Sequence, residues 1–322
     1  MPQIREAYPR DEVQTAIVMG YKNKSTIADK IMPRTRPLDS TRYKFQRFAP
    51  GQFAHVPDTT VGRRTQVNEV EFRGETMYGE TQEYALKHGF IPRDYDGVKN
   101  PDSKRASATE ALANLLELAR EIRVANMVLN PSNYGNNTAV VSGSDKFNNN
   151  DSDIVKLITT SIETPRIRPN VMILGRKEWR ALASHPRILA AVTRAFAAVS
   201  AGTTIQTAGI ATREEIARLF ELDEIIVGEA EVASSYGDNA VFSPTWSGGV
   251  AFHRLDPSAI SGVAAGMNNG MTWGFTAHFE KFSNRYSVDS EGTRGVEYIR
   301  VVDDCEERVI SPDCGMLLTG VI

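Results

Sequence analysis

The stretch "RPNVMILGRKEWRALASHPRIL", residues 168–189, holds the sharpest change of structural signal in the chain. The apolar run at 171–174 is short and β-branched enough to predict a buried strand. Gly175 ends that run, and the residues after it have the spacing of one or two short helices interrupted at Pro186. A buried strand joined directly to helices predicts a mixed α/β unit here.

Both flanks continue this pattern. A helix is predicted over 152–162 and another over 212–222, where Thr212 and Glu215 have the spacing of a capping box. A strand is predicted at 224–230. From residue 240 onward, successive strands are predicted, ending in a late pair at 278–304, "HFEKFSNRYSVDSEGTRGVEYIRVVDD".

The longest predicted helix lies upstream, in "SATEALANLLELAREIRVANMVL", residues 107–129. Its apolar positions recur at three- and four-residue spacing, at Ala108, Leu112, Leu115, Ala119, Ile122, Ala125 or Asn126, and Leu129. Ser107 or Asp102 would begin the helix, and Pro131 would end it. At about 1.5 Å per residue, such a helix is a rod of roughly 35–40 Å.

Residues 34–83 have an unusual charge pattern. Basic residues predominate from 34 to 66, where a strand is predicted with Tyr43 and Phe45 on one side and Phe48 as an open addition to that side. Glutamates predominate from 67 to 83. One account is a hairpin whose strands form salt bridges with each other. The other is a projecting ribbon whose charges meet a neighbouring molecule. The sequence leaves both open.

Composition excludes several classes of protein. The chain has 322 residues, 41% of them hydrophobic, and its 37 basic and 40 acidic residues leave a net charge of −3. This balance does not indicate an electrostatic binder of nucleic acid. A membrane span would need about 18 consecutive apolar residues, which the sequence lacks. Cys305 and Cys314 match neither a redox nor a zinc motif and are expected to be free thiols.

The usual catalytic and phosphate-binding motifs are missing, so no catalytic residue, cofactor or metal ligand is predicted. A remote alternative is an enzyme with an acid/base site built from His253, His278 and Glu280. Trp179, Trp246 and Trp273 are expected to be core or interface anchors, because no basic stripe accompanies them.

The order of these segments resembles the major capsid protein of tailed bacteriophages, with the Hong Kong 97-type fold. The resemblance rests on "STIADKIMPRTRP" (25–37), the charged ribbon, "EYALKHGFIPRDY" (83–95), the long helix and the stretch at 168–189. It implies an α+β fold with an N-terminal arm (1–33), an extended loop (34–85), a peripheral domain with a spine helix (86–150), an axial domain (151–270) and return strands of the peripheral domain (271–322).

The resemblance also implies the partners. The chain would assemble with itself into hexamers and pentamers in the host cytoplasm, forming a virion capsid around double-stranded DNA without reading its sequence. A portal, a separate scaffolding protein and, as an open alternative, a decoration protein would accompany it. The scaffolding protein is expected to be separate because the arm motif already begins at Ser25. A covalent cross-link between Lys44 and Asn268 or Asn269 is a further alternative.

Intersubunit contacts are predicted in the ribbon, where basic side chains of one copy would pair with acidic side chains of another. The candidates are Arg36, Arg42, Arg47, Arg63, Arg64, Glu69, Glu71 and Glu75. An encapsulin-like shell that encloses a cargo enzyme is the alternative within the same fold.

Overall fold

The structure is a computed structural model, and it describes residues 10–20, 23, 25–48, 55–62, 66–70, 74–91, 101–197, 209–235, 237, 239–256 and 271–322. The helices are α1 (Glu12–Gly20), α2 (Ala28–Ile31), α3 (Pro101–Val128), α4 (Ile154–Glu163), α5 (Arg176–Ala183), α6 (Pro186–Ala197) and α7 (Arg213–Leu219). The strands are β1 (Arg42–Phe48), β2 (Gly74–Glu80), β3 (Gln82–Phe90), β4 (Thr138–Val140), β5 (Val171–Gly175), β6 (Glu224–Gly228), β7 (Glu231–Ala233), β8 (Phe242–Pro244), β9 (Gly249–His253), β10 (Gly274–Val288), β11 (Val296–Val309) and β12 (Gly315–Thr319).

The late strand pair is confirmed and forms the longest part of an antiparallel sheet in the order β10-β11-β3. Ile299 and Val301 of β11 face α3 and pack in one cluster with its Leu112 and Leu116. Charged residues lie on both sides of these strands. Asp303, on the helix-facing side, forms ion pairs there, because basic partners lie within reach.

The long helix is also confirmed, as the 28-residue α3, but its buried face differs from the predicted one. Leu115 is 46% exposed, whereas Glu117, Arg120 and Glu121 are buried. Apolar periodicity locates a helix face only where burial depends on apolar side chains. Here charged side chains are buried because ion pairs and hydrogen bonds from other segments compensate them.

A second sheet, in the order β4-β12-β9-β5-β6, forms the predicted mixed unit. The central strand β5 is buried throughout, pairs parallel with β6 and lies antiparallel to β9. The capping box of α7 is present, with the Thr212 hydroxyl accepting from the Glu215 backbone N–H. Because β4 and β12 also belong to this sheet, the second sheet receives strands from both sides of the α/β segment. The five-part domain division remains a prediction.

The break between α5 and α6 falls at Pro186, as expected. Buried His185 fixes this corner, since its Nδ1 accepts from the Arg187 backbone N–H at 3.2 Å and its Nε2 lies 2.9 Å from the Asn149 carbonyl oxygen. Of the described helices, none combines the length and the apolar character that a membrane span needs.

Candidate intersubunit surface

The ribbon consists of β1 and β2, paired antiparallel from Arg42 opposite Glu80 to Phe48 opposite Gly74. One face is buried where Tyr43 and Phe45 pack against Phe275 of β10. The Tyr43 hydroxyl donates to Glu306 Oε2 at 2.6 Å. The predicted alternation is therefore confirmed for Tyr43 and Phe45, and it anchors the ribbon stem on the first sheet.

Beyond the stem, residues 55–62 and 66–70 have no regular strand and are mostly exposed. Val56 and Val67 are 79% and 76% exposed. Apolar side chains so far from any core gain little from folding of the single chain, which is the property expected of a segment that another molecule covers.

The predicted contact residues lie in different environments. Arg36, Glu69 and Glu75 are exposed. Arg42 forms a 3.2 Å ion pair with Glu80 of its own ribbon, and Arg47 lies opposite Glu75 in the strand register. Arg63, Arg64, Glu71 and the side chain of Arg47 lie outside the described residues. The hairpin account thus holds for Arg42, while pairing between copies stays a prediction.

Lys44 lies on the outer, exposed face of the ribbon, opposite Tyr78. Asn268 and Asn269, its proposed cross-linking partners, lie outside the described residues. The cross-link therefore also stays a prediction.

A polar junction that the sequence did not predict lies where α3, the first sheet and residues 27–35 meet. Arg120 of α3 has no exposed surface. Its guanidinium donates to Asp29 Oδ1, to the Met32 carbonyl at 2.9 Å and to the Thr276 hydroxyl at 3.0 Å. These bonds satisfy the two terminal nitrogens of the buried guanidinium, while its Nε lies 3.6 Å from Glu307 Oε1 and has no hydrogen-bond partner among the described residues.

Arg34 completes the junction from the N-terminal side. It forms a bidentate ion pair with Asp303, at 2.7 and 2.9 Å. Burial by itself raises the pKa of Asp303, but the hydrogen bonds and charge of Arg34 outweigh it, so the pKa lies below its ordinary value. Lys281 pairs with Glu117 at 2.5 Å beside it.

Glu121 of α3 joins three regions through one carboxylate. It accepts from the backbone N–H groups of Ile27 and Ala28 at 2.8–3.0 Å and from Trp246 Nε1 at 2.6 Å. Burial raises the pKa of Glu121, and these hydrogen bonds oppose the shift. The helix thereby holds the segment before α2 and the loop after β8 in one arrangement.

Trp246 reaches Glu121 because two glycines leave room for it. Gly175 and Gly228 lie opposite each other in β5 and β6. A Cβ at Gly175 would lie 2.1 Å from the Trp246 carbonyl oxygen, and one at Gly228 would lie 2.2 Å from the indole ring. Gly175, which ends the predicted strand, is therefore needed for the close packing of Trp246. Trp246 and Trp273 are buried anchors, as expected.

Sequence reasoning missed the junction because its members come from distant segments. The available signal was the cluster of four charged residues in the second half of this helix, Glu117, Arg120, Glu121 and Arg123. Such a cluster usually indicates a solvated face. Only the positions of Asp29, Asp303 and Glu307 in space distinguish the two cases.

The structure gives the three residues of the enzyme alternative separate partners. His253 is buried, stacks on Trp273 at 3.9 Å between ring centroids, and lies 2.7 Å from the Tyr134 hydroxyl. His278 Nδ1 lies 4.0 Å from Asp303, and Glu280 pairs with Arg10 at 2.6 Å. Among the described residues, no three histidine, cysteine or acidic side chains form a group that could hold a metal ion.

Burial lowers the pKa of His253 to about 3, so its ring is neutral and buried among aromatic side chains. These surroundings are those of a packed core residue. Cys305 and Cys314 are buried free thiols, as expected, and burial raises the pKa of Cys305 to about 12. A thiol with so high a pKa is a poor nucleophile.

No protein-family profile matches the chain. Among curated proteins it is similar to the major capsid protein of Pseudomonas phage JBD67, at 29% identity over 318 residues that cover 98% of both chains. It is also similar to the major capsid protein of Burkholderia phage BcepMu, at 25% identity over 328 residues that cover 97% of this chain and 96% of the relative.

Solved structures share the fold at lower identity. A phage-related protein from Bordetella bronchiseptica RB50 superposes with a TM-score of 0.72 at 21% identity, covering 98% of both chains. The capsid protein of cyanophage P-SCSP1u gives 0.59 at 10% identity, covering 93% of this chain and 89% of that one. A virus-like particle protein from Pyrococcus furiosus gives 0.54 at 13% identity, covering 95% and 98%.

The three solved structures superpose over 93% or more of this chain, and the two curated relatives match along nearly the whole of it. The chain is therefore a homologue of bacteriophage major capsid proteins and has the α+β capsid fold of the Hong Kong 97 type.

Proposed function

We propose that the chain is the structural subunit of an icosahedral phage head, assembling as hexamers and pentamers into a shell around double-stranded DNA. The observation that carries this proposal is the similarity to a phage major capsid protein over 98% of both chains.

The proposal includes the absence of a catalytic step, assembly in the host cytoplasm, and the use of a separate scaffolding protein and a portal. A structural role is supported by the names of both curated relatives. The near-neutral charge suits a container into which DNA is moved, because strong binding to the wall would oppose both packing and release.

The ribbon is the part proposed to bind neighbouring subunits. Its stem is anchored, exposed charged residues lie on the stem and beyond it, and exposed Val56 and Val67 lie beyond it. Individual exposed ion pairs are weak, and repetition by symmetry adds many of them while still allowing misplaced subunits to dissociate. On this account Arg36, Glu69 and Glu75 face a second copy.

The test is negative-stain electron microscopy with light scattering, on the chain expressed alone and together with its neighbouring phage genes. Closed shells or rings of five and six subunits in either sample support the proposal. A stable monomer in both samples would contradict it and return attention to the enzyme alternative.

An encapsulin-like shell is the alternative with the same fold. The similarity to the virus-like particle protein lies at 13% identity and concerns fold alone, so it does not favour either function. Particles that contain DNA and carry a tail would identify the phage head. Particles that retain one co-purifying enzyme and lack DNA would identify the alternative.

A further inference from the structure

The face of the first sheet that points away from α3 is ordered in rows across its three strands. The strand register places Asn284, Arg300 and Lys87 in one row, Phe282, Val302 and Ala85 in the next, and Glu280, Asp304 and Glu83 in the third. The third row consists of carboxylates only. It lies beside Thr81, where β2 of the ribbon continues into β3.

A row of three carboxylates on adjacent strands is unfavourable by itself, because directly opposite side chains of like charge lie about 5 Å apart at their Cβ atoms and repel each other. One end of the row is compensated within the chain: Arg10 pairs with Glu280 at 2.6 Å and lies over the Phe282 ring. One carboxylate of the row, Glu280, therefore already forms an ion pair with a guanidinium group.

The other end is not compensated among the described residues. Asp304 is only 3% exposed, and neither its Oδ1 nor the buried Thr81 hydroxyl has a hydrogen-bond partner of good geometry there. Glu83 is exposed beside Asp304, and no described cation pairs with it. Burial raises the pKa of Asp304, the Thr81 hydroxyl opposes that shift, and the neighbouring charges of Glu83 and Asp303 add to it.

We propose that Glu83, supported by Asp304, is the acceptor for a basic side chain from the extended loop of a second copy of this chain. The inference rests on the proposed function, since it requires copies that touch. Charge complementarity identifies the occupant. The loop segment 34–66 is strongly basic, and Arg36 and Lys44 are exposed on it.

The chain's own ribbon does not offer Lys44 to the row. Its inner face, with Tyr43 and Phe45, packs on Phe275 and Ala277 at the neighbouring part of the sheet. Lys44 alternates with those residues and so lies on the opposite, outer face of the ribbon. A metal ion is a less suitable occupant, because the described residues hold no three-ligand group for one.

The test uses carbodiimide coupling, which joins an amine to a carboxylate in contact with it. Particles are assembled from equal amounts of ¹⁴N- and ¹⁵N-labelled chains, and cross-linked peptides are identified by mass spectrometry. Lys44 is the lysine of segment 34–66. Five single variants keep the positive charge and give every other basic loop position a reactive amine. They are Arg36→Lys, Arg42→Lys, Arg47→Lys, Arg63→Lys and Arg64→Lys.

The expected result is a loop lysine joined to Glu83 in peptides that carry one ¹⁴N and one ¹⁵N half, in wild type or one of the variants. Glu83→Gln should abolish that product, and Asp304→Asn should reduce it severalfold. The matched control Glu110→Gln, at an exposed position of α3, should leave it unchanged. The Lys30 to Glu224 pair, at 2.6 Å within one chain, should give a product with a single isotope and shows that the coupling worked.

Cross-links of Glu83 that carry a single isotope would show that its basic partner comes from the same chain, which would overturn the proposal. Absence of any loop product at Glu83, with the Lys30 product present, would also overturn it. A particle that loses integrity on addition of a chelator, with no loop product, would instead identify a divalent cation as the occupant. If no particles form, the proposed function itself fails, which the microscopy reports separately.

Discussion

Arg120 and Arg42 show how differently one residue type acts in two regions of this molecule. Arg120 has no exposed surface and donates to Asp29, a carbonyl oxygen and a hydroxyl at the junction. Arg42 is 80% exposed and meets a single glutamate across the ribbon. In the interior, losing one partner leaves a buried charge uncompensated, whereas on the ribbon water replaces the partner. We therefore expect loss of a junction partner to destabilise the fold far more than loss of an ion pair on the ribbon.

Replacement of Glu121 by alanine should produce the largest effect. It leaves two backbone N–H groups and the Trp246 indole without their acceptor, at an expected cost of about 3–5 kcal/mol in the free energy of unfolding. Urea unfolding of the unassembled chain, followed by tryptophan fluorescence, measures it. Glu110→Ala on the exposed side of the same helix is the control and should change stability by less than about 0.5 kcal/mol. Equal stability of the two variants would contradict the role of the junction.

The second prediction concerns pH and the buried histidine. Because the folded pKa of His253 is about 3 and the ordinary value is 6.5, the unfolded chain takes up a proton below about pH 6.5 that the folded chain does not. His253 therefore lowers stability by up to about 1.4 kcal/mol for each pH unit between those values. Between about pH 7 and pH 5, the free energy of unfolding should fall about 2 kcal/mol less in His253→Phe than in wild type. Parallel pH profiles for the variant and wild type would exclude this contribution.

Acid should also weaken the ion pairs of the junction, in a lower pH range. The pKa values of Asp29 and Asp303 lie below their ordinary 3.8, since arginine charges outweigh the effect of burial. Their contribution is therefore complete above that value and is lost as pH falls through the folded pKa. Asp303→Asn should remove part of the acid transition below about pH 4. An unchanged transition would show that the ion pair between Arg34 and Asp303 makes no measurable contribution to stability.

Substitution of Gly175 by alanine should produce an intermediate effect. The added Cβ would lie 2.1 Å from a backbone oxygen of the Trp246 segment, so the loop has to move away from Glu121. Overpacking of this kind costs about 1–3 kcal/mol. Gly20→Ala is the control, because no atom lies within 4 Å of its Cβ position. Thermal unfolding of both variants measures the difference. Equal stability of the two would show that Gly175 is not required for packing against the Trp246 segment.

Charge reversal on the ribbon should have the smallest effect on stability and a larger effect on assembly. Arg42→Glu removes an exposed pair and should cost about 0.2–1 kcal/mol in the unassembled chain. Shell yield, measured by light scattering, should fall at low salt and approach that of wild type near 1 M salt, where screening is strong. The swapped variant Arg42→Glu, Glu80→Arg restores the pair within one chain. Restored assembly in the swap would show that Arg42 supports the ribbon and does not contact a second copy.

Much of the fold was predictable because local signals and tertiary packing agree. The buried strand at β5, the capping box of α7 and the late strand pair each depend on residues close together in the sequence. The buried face of α3 was not predictable from apolar spacing, since Leu115 is exposed and Arg120 is buried. The carboxylate row was likewise hidden, because Glu83 and Asp304 are adjacent only through strand register.

The long helix, the strand pair, the α/β segment and the charge division of the ribbon can all be read from the amino-acid sequence. These features follow from periodicity, capping and turn residues, whose interactions extend over a few neighbouring positions. Which charged side chains are buried depends on contacts between distant segments. The burial of Glu121 depends on Ile27 and Trp246, more than 90 residues away on either side, and desolvation is set by what lies nearby in space.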